Sequence, residues 1–340
     1  MSAPLATPLW LNTVQALVSP SLRATTERLC PPMRLVTGYH HGWLDAVGQP
    51  VTGGGGKAVR PALSLLSAQA AGAPAESGVP AAVAVELVHN YSLLHDDIMD
   101  GDTERRHRPT AWTIFGVSSA ILAGDALLTA AFEVLMEKPT PSAVEAARRL
   151  AATAQRLIAG QCADLEFEKR TDIALDDCLR MAADKTAALL SCATCLGAVW
   201  VGADAALCAG LADFGWHLGV AFQMTDDLLG IWGDVTVTGK PAMEDLRARK
   251  KSVPVVSALR SGHPAAERLR EYYSRPLPPG GADLPAMAAL VEECGGRDHV
   301  TALAAAEYEA ALRCLDGLVV PAGVRADLTG LARFIVRRDN

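Results

Sequence analysis

Apolar residues along the chain recur three and four positions apart, and no segment alternates with a period of two. That pattern predicts an all-α protein. A first helical stretch covers about 12–46, with breaks, and a loop over 48–57 contains the glycines at 53–56. Pro61 stands where a helix can begin. A long apolar helix is expected over 80–100, then a charged turn over 101–109. Further helices are expected over 113–138, 142–169, 175–201 and 205–231. A charged loop over 233–251, a Pro/Gly loop over 274–284 and a last helix over 325–337 complete the pattern.

Composition agrees. Half of the 340 residues are hydrophobic, aromatics are only 5%, and Ala and Leu dominate over β-branched runs. No shift in composition divides the chain, so one domain is expected over 1–340, with 1–11 flexible. The fold class that follows is a large single-domain helical bundle.

A net charge of −7 argues against a general nucleic-acid binder but allows a local basic pocket. Cys192 and Cys195 form a C-x-x-C without a second pair or a histidine cluster at zinc spacing; they read as small core residues. No positive charge precedes Arg23, so no signal peptide is expected, and the cytoplasm is the expected location. The charge-free stretch 186–203 is diluted by Thr, Ser, Gly and Ala, and reads as a buried bundle helix, not a membrane span.

The chemistry concentrates where apolar helices end. Asp96, Asp97 and Asp100 close the helix over 80–100. Residues four apart share a helix face, so Asp96 and Asp100 are neighbours, and His89 falls on the same stripe. Like charges repel there, at the helix end where carboxylates are disfavoured. A partner cation resolves the conflict, and oxygen ligands with few protein contacts suit Mg²⁺ shared with phosphates. A second pair, Asp226 and Asp227, closes the run FGWHLGVAFQMT, with Asp234 further on. A third pair, Asp176 and Asp177, sits at a helix start, where carboxylates are favoured, and reads as structural.

Cations follow each element: Lys57 and Arg60 after the glycines; Arg105, Arg106 and Arg108 after the first acidic motif; Lys185 after Asp184; Lys240, Lys250 and Lys251 after the second. Two carboxylate sets with separate cations point to two polyphosphate groups, one held through metal and one directly.

In this order the motifs resemble the trans-isoprenyl diphosphate synthases, the polyprenyl synthetase family. They are GGKAVRP at 55–61, LVHNYSLLHDDIMDGDTERRHRPT at 87–110, GD at 124–125, GQCADL at 160–165, KT at 185–186, FQMTDDLLGIWGD at 222–234 and GKPAMEDLRARKKSVP at 239–254. The resemblance implies an all-helical isoprenoid-synthase bundle around a central cavity, usually a homodimer, that condenses isopentenyl diphosphate with an allylic diphosphate. It implies about three Mg²⁺ ions, two on Asp96 and Asp100 and one on Asp226, with Asp97, Asp227 and Asp245 in support. Arg105, Lys185, Thr186, Gln223 and Lys240 would contact the allylic diphosphate. Lys57, Arg60, His89 and Arg106 would form the isopentenyl diphosphate site, and Lys250 would help at the metal-bound diphosphate.

The chain departs from the pattern once. The fifth position of the second motif, usually Asp, is Gly230. Either Asp226 then carries its metal nearly alone or Asp234 substitutes. Product length has one indicator: Tyr91 is large and Ser92 small ahead of the first motif, which resembles geranylgeranyl (C20) synthases, with farnesyl or longer products as the alternative. A terpene cyclase would not need the isopentenyl diphosphate cations, and a non-catalytic partner subunit would typically lose acidic residues of the first motif.

Overall fold

Proline, glycine and side-chain caps decide where the helices begin and end. The computed structural model describes residues 9–51, 56, 58–170, 172–233, 242–275 and 280–336. The expected stretch over 12–46 is two helices, α1 (Leu9–Glu27) and α2 (Pro31–His40). Pro31 opens α2, where its missing N–H costs nothing. Helix α3 (Val59–Ala70) starts two residues before Pro61, and a 3₁₀ turn (Ala75–Gly78) leads into α4 (Val79–Met99).

The charged turn after α4 is a hairpin that periodicity did not reveal. Strands β1 (Glu104–Arg105) and β2 (Arg108–Pro109) pair antiparallel, and Arg106 and His107 turn between them with φ of 53° and 60°. Two left-handed residues in sequence match the twist of a two-residue hairpin. The helix expected over 113–138 is split into α5 (Ala111–Phe115) and α6 (Val117–Met136) by Gly116, whose φ of 84° few other residues would tolerate.

Helix α7 (Pro141–Lys169) is capped by the Thr140 hydroxyl, which accepts the Ala143 N–H at 3.1 Å. The helix expected over 175–201 is α8 (Leu175–Ala182), a π-helical turn (Ala183–Ala187) and α9 (Ala188–Trp200). Helix α10 (Ala205–Trp232) is capped by Asp204, which accepts the Leu207 N–H at 2.9 Å. The segment read as a loop over 233–251 contains a one-turn helix, α11 (Glu244–Arg247). Helices α12 (Val253–Arg260), α13 (Ala265–Ser274), α14 (Leu284–Glu293), α15 (Gly296–Asp316) and α16 (Ala322–Val336) follow.

The layers form around α4, which packs against α3, α6 and α9, while α10 packs along α9 and α15. Leu63, Leu87, Leu94, Leu127 and Leu196 are buried at these contacts. Each contributes about 1.5–3 kcal/mol by leaving water. A second cluster joins α10 to the later helices through Ile231, Leu246, Val255, Leu269 and Val291. This is the expected all-α bundle.

The charge-free stretch lies in the π turn and α9, whose residues are nearly all buried, Cys192 and Cys195 among them. Burial pushes the Cys192 thiol up to about 11. Asp176 and Asp177 stand in the first turn of α8, as expected of helix-start carboxylates. Two other helices, α6 and α10, are long and apolar enough to cross a membrane by length and composition alone. Helix α10 is enclosed by the bundle on two sides, whereas α6 leaves Val117, Ile121 and Leu122 exposed.

Candidate active site

The C-terminal turns of α4 and α10 open on one cavity of about 490 Å³. Both helices end in adjacent aspartates; Asp96, Asp226 and Asp227 line the cavity, and the second member of each pair, Asp97 and Asp227, is buried. Asp96 is held in a poorly solvated position; burial pushes its pKa up to about 6, with Lys185 opposing the rise and Asp100 adding to it. Asp97 points back into the protein, where its Oδ1 accepts the Arg105 Nε at 2.7 Å and Nη2 at 2.6 Å. The hairpin therefore delivers Arg105 to the cavity wall with a buried anchor behind it. Asp100 caps the helix on its exposed side, and its Oδ1 accepts the Gln161 amide at 3.4 Å.

On α10 the buried member is Asp227. Its Oδ1 accepts the Gln223 amide at 2.8 Å and its Oδ2 the Val253 N–H at 2.9 Å. Gln223 in turn accepts the Thr186 hydroxyl at 2.6 Å. Burial raises the Asp227 pKa, with Lys250 opposing. The chain Thr186–Gln223–Asp227 ties the π turn to the second motif. Lys185, on the same turn, donates to Asp164 of α7 at 2.6 Å. Gly160 lets α7 approach that closely: a Cβ there would lie 2.5 Å from the Lys185 backbone nitrogen.

A neighbouring recess of about 390 Å³ shares Arg60, His89, Arg106 and Phe222 with the cavity and adds Gly56, Glu86 and Phe334. The Arg60 Nη1 donates to the His89 Nε2 at 3.3 Å, so that nitrogen accepts and the imidazole is neutral. Burial, reinforced by Arg60 and Arg106, holds the His89 pKa well below its usual value. Glu86 is held protonated to higher pH by burial, against the pull of Arg60.

At its apolar end the cavity is walled by Leu93, Leu157, Leu189 and Phe222, with Ser92 beside them. Tyr91 turns to the other side of α4, where its ring meets His95 edge-on at 4.8 Å. His95 lies over Gly124 of α6, and its Nε2 is 3.7 Å from Asp125.

Of the residues singled out in the sequence, Asp96, Asp226, Asp227, Arg60, His89, Ser92, Arg105, Arg106, Lys185, Thr186, Gln223, Gly230, Asp245 and Lys250 line this one cavity. Asp97, Tyr91 and Asp100 are not among its lining residues; Asp97 and Tyr91 are buried and Asp100 is exposed. Lys57, Asp234 and Lys240 fall outside the described residues. Glu86, Asp164 and Glu244 were not foreseen. Glu86 was detectable, because it sits three residues before His89 on the stripe that leads to Asp96. No three acidic or histidine side chains converge as a preformed metal cluster among the described residues.

Two carboxylate-bearing helix ends, cationic walls and an apolar end thus meet in one cavity of an all-α bundle. Comparison with known proteins places the chain in a family. The polyprenyl synthetase family profile matches residues 41–280. The chain is similar to the (2E,6E)-farnesyl diphosphate synthase of Mycobacterium tuberculosis, with 45% identity over 96% of this chain and 92% of that protein. It is nearly as similar to a geranylgeranyl diphosphate synthase of the same organism, with 43% identity over 97% and 93%. The crystal structure of a polyprenyl synthetase from Streptomyces coelicolor superposes with a TM-score of 0.92 at 49% identity, covering 97% of this chain and all of that one. The chain belongs to the polyprenyl synthetase family and is a prenyltransferase.

Proposed function

We propose that the protein joins isopentenyl diphosphate head-to-tail to an allylic diphosphate, with geranylgeranyl diphosphate (C20) as the main product. The observation that carries this reading is the pairing of a carboxylate-walled cavity with a cationic recess through shared residues, Arg60, His89 and Arg106. Two diphosphates can then lie side by side with their reacting carbons in the apolar space between. A terpene cyclase would have no use for the second, basic recess. A non-catalytic subunit would have no use for a complete first acidic motif.

The donor set fits Mg²⁺. Asp96 is buried enough for its carboxyl to be pushed up to about 6 without a further cation, and its neighbours are oxygen donors of the hard type. Asp96, Asp100 and Asp226 would hold the metal, about three ions in all, with Asp97 and Asp227 fixing the helix ends. When bound, Mg²⁺ supplies charge neutralisation to the departing diphosphate. Arg105, Lys185, Thr186, Gln223 and Lys240 would hold that diphosphate, with Lys250 beside it. Lys57, Arg60, His89 and Arg106 would hold isopentenyl diphosphate. The allylic C–O bond breaks, the double bond of isopentenyl diphosphate attacks the cation, and loss of a proton restores an allylic product. Leu93, Leu157, Leu189 and Phe222 keep water from the cation.

Ser92, small and on the cavity face, supports a product longer than C15, and Tyr91 faces away from the cavity towards His95. The exposed apolar stripe of Val117, Ile121 and Leu122 on α6 supports a homodimer that buries it. Cytoplasmic location belongs to the same reading. Incubating the purified chain with Mg²⁺, isopentenyl diphosphate and each of the C5, C10 and C15 starters, and reading product length, tests it. A C20 product is expected, shortened towards C15 by Ser92→Phe; Tyr91 turns away from the cavity, so Tyr91→Ala is expected to leave product length unchanged. A main product of C15 from the wild type removes the C20 assignment; no consumption of isopentenyl diphosphate removes the reaction.

A further inference from the structure

We infer that Arg249 and Lys251 are positioning residues that hold Lys250 in the cavity, each by tying one side of it to the C-terminal end of a different helix. The inference rests on the reading of Lys250 as a diphosphate contact given above.

Arg249, Lys250 and Lys251 are consecutive cations between α11 and α12, and their side chains go to different places. Lys250 lines the cavity, whereas Arg249 and Lys251 are not among its lining residues. The Arg249 Nη1 donates to the Arg275 carbonyl at 2.6 Å and its Nη2 to the Tyr272 carbonyl at 3.1 Å, where α13 ends. The Lys251 Nζ donates to the Glu168 carbonyl at 2.9 Å and also to the Phe167 carbonyl, in the last turn of α7. The last carbonyls of a helix lack partners within it and carry the negative end of its dipole, so they are natural acceptors for cations. The outer charges therefore serve helix ends, and the middle one alone is presented to the cavity.

The backbone is held as closely as the side chains. Arg249 has a φ of 53°, a left-handed conformation that is costly for a residue with a Cβ and is usually left to glycine. The hydrogen bonds of its own guanidinium offset that cost. Asp245, whose carboxyl group lies over the Gly230 Cα, accepts the Lys250 N–H on its carbonyl at 2.8 Å. The Tyr273 hydroxyl donates to the Lys250 carbonyl at 3.2 Å, and the Cys178 thiol to the Lys251 carbonyl at 3.3 Å. Lysine has a flexible stem, so the place of its ammonium depends on where that stem begins. Here it begins from a backbone anchored on both sides. Releasing either anchor lets the starting point move. The result is a misplaced contact, which lowers turnover although the released residue touches no substrate.

The test is a double-mutant cycle on the full-length chain with Mg²⁺ present. Steady-state kinetics are measured with both substrates varied, for the wild type, Lys250→Met, Arg249→Met and Lys251→Met, and for each outer variant combined with Lys250→Met. Methionine keeps an apolar stem and removes the cation. Each outer variant is expected to lower kcat/KM for the allylic diphosphate by about fivefold or more, and to change the KM for isopentenyl diphosphate by less than about twofold. In the Lys250→Met background the same substitution is expected to change kcat/KM by less than about twofold, because nothing is left to position. A loss that persists beyond that in the Lys250→Met background overturns the inference, because a merely structural role would give it. A smaller loss in the native background also overturns it, as does a KM for isopentenyl diphosphate that moves with the allylic loss. Lys251→Met carries the test if Arg249→Met fails to fold. A Lys250→Met chain with wild-type kcat/KM overturns the reading of Lys250 as a diphosphate contact, which failure of the inference alone leaves standing.

Discussion

The two acidic motifs share a plan but are braced differently. In both, the first aspartate of the pair lines the cavity and the second is buried, Asp97 behind the lining and Asp227 still reaching it. Asp97 is braced by a guanidinium, that of Arg105, which itself reaches the cavity wall. Asp227 is braced by an amide and a backbone N–H, those of Gln223 and Val253. The first brace is charged and spans a hairpin; the second is neutral and spans two packed helices. A disturbance behind the first motif should therefore reach substrate through Arg105. One behind the second should reach the fold first.

The largest expected effect tests what both braces serve. Asp96→Ala should lower kcat by about 10³-fold or more, several kcal/mol of transition-state stabilisation, with an unchanged circular dichroism spectrum. Turnover near that of the wild type in Mg²⁺ would leave the braces with nothing to hold.

The comparison itself is tested by Asp97→Asn against Asp227→Asn. Asp97→Asn should lower kcat/KM for the allylic substrate by about 10²-fold, the scale of a misplaced contact, with a smaller change in Tm. Asp227→Asn puts an NH₂ where an acceptor met a donor and should cost about 1–3 kcal/mol of stability by chemical denaturation. If the two variants lose stability and activity in equal proportion, the two braces are equivalent.

The smallest effect is one of pH. Behind the hairpin, His41 lies buried and stacked on Trp43 at 4.3 Å, 8° from parallel. Burial, then Arg106 and Arg23, pulls its pKa down to about 3. A histidine with a lowered folded pKa takes up more protons unfolded than folded, so its contribution is present above about pH 6.5 and is lost as pH falls towards 3. Between pH 7 and 4 the loss is at most ~3 kcal/mol. His41→Phe keeps the stack and should flatten the fall of Tm over that range. An unchanged slope would show that His41 does not contribute to the acid sensitivity of this side of the molecule. The amide and N–H behind Asp227 do not titrate, so the second motif has no counterpart.

What was legible in the sequence was local. Asp96 and Asp100 on one face, with His89 in line, follow from residues four and seven apart on a helix, and α4 confirms that arithmetic. The all-α class followed from the same periodicity. What was not legible depends on contacts distant in sequence or on unusual backbone. The hairpin that delivers Arg105 needs two left-handed residues, Arg106 and His107, neither of them a usual marker for that turn. The placement of Asp245 over Gly230 joins positions 15 apart across a segment that reads as loop. Tyr91 and Ser92, adjacent in sequence, stand on different sides of α4, so only Ser92 reaches the cavity lining.

The turn that carries Lys185 and Thr186 has a history written in its geometry. A π turn holds one residue more than the α turn it replaces, and the helix on either side keeps the phase it would have had without that residue. Here α8 keeps Cys178 and Met181 in one core while α9 keeps Leu189, Leu190 and Leu196 in another. Deleting a residue elsewhere in the helix would rotate one half by about 100° and pull a packed face out of its core. Deleting one within 183–187 would spare both cores and remove only the bulge that faces the cavity. The turn behaves as an insertion confined to the one place in the helix where a change of length alters the chemistry and leaves the packing in step.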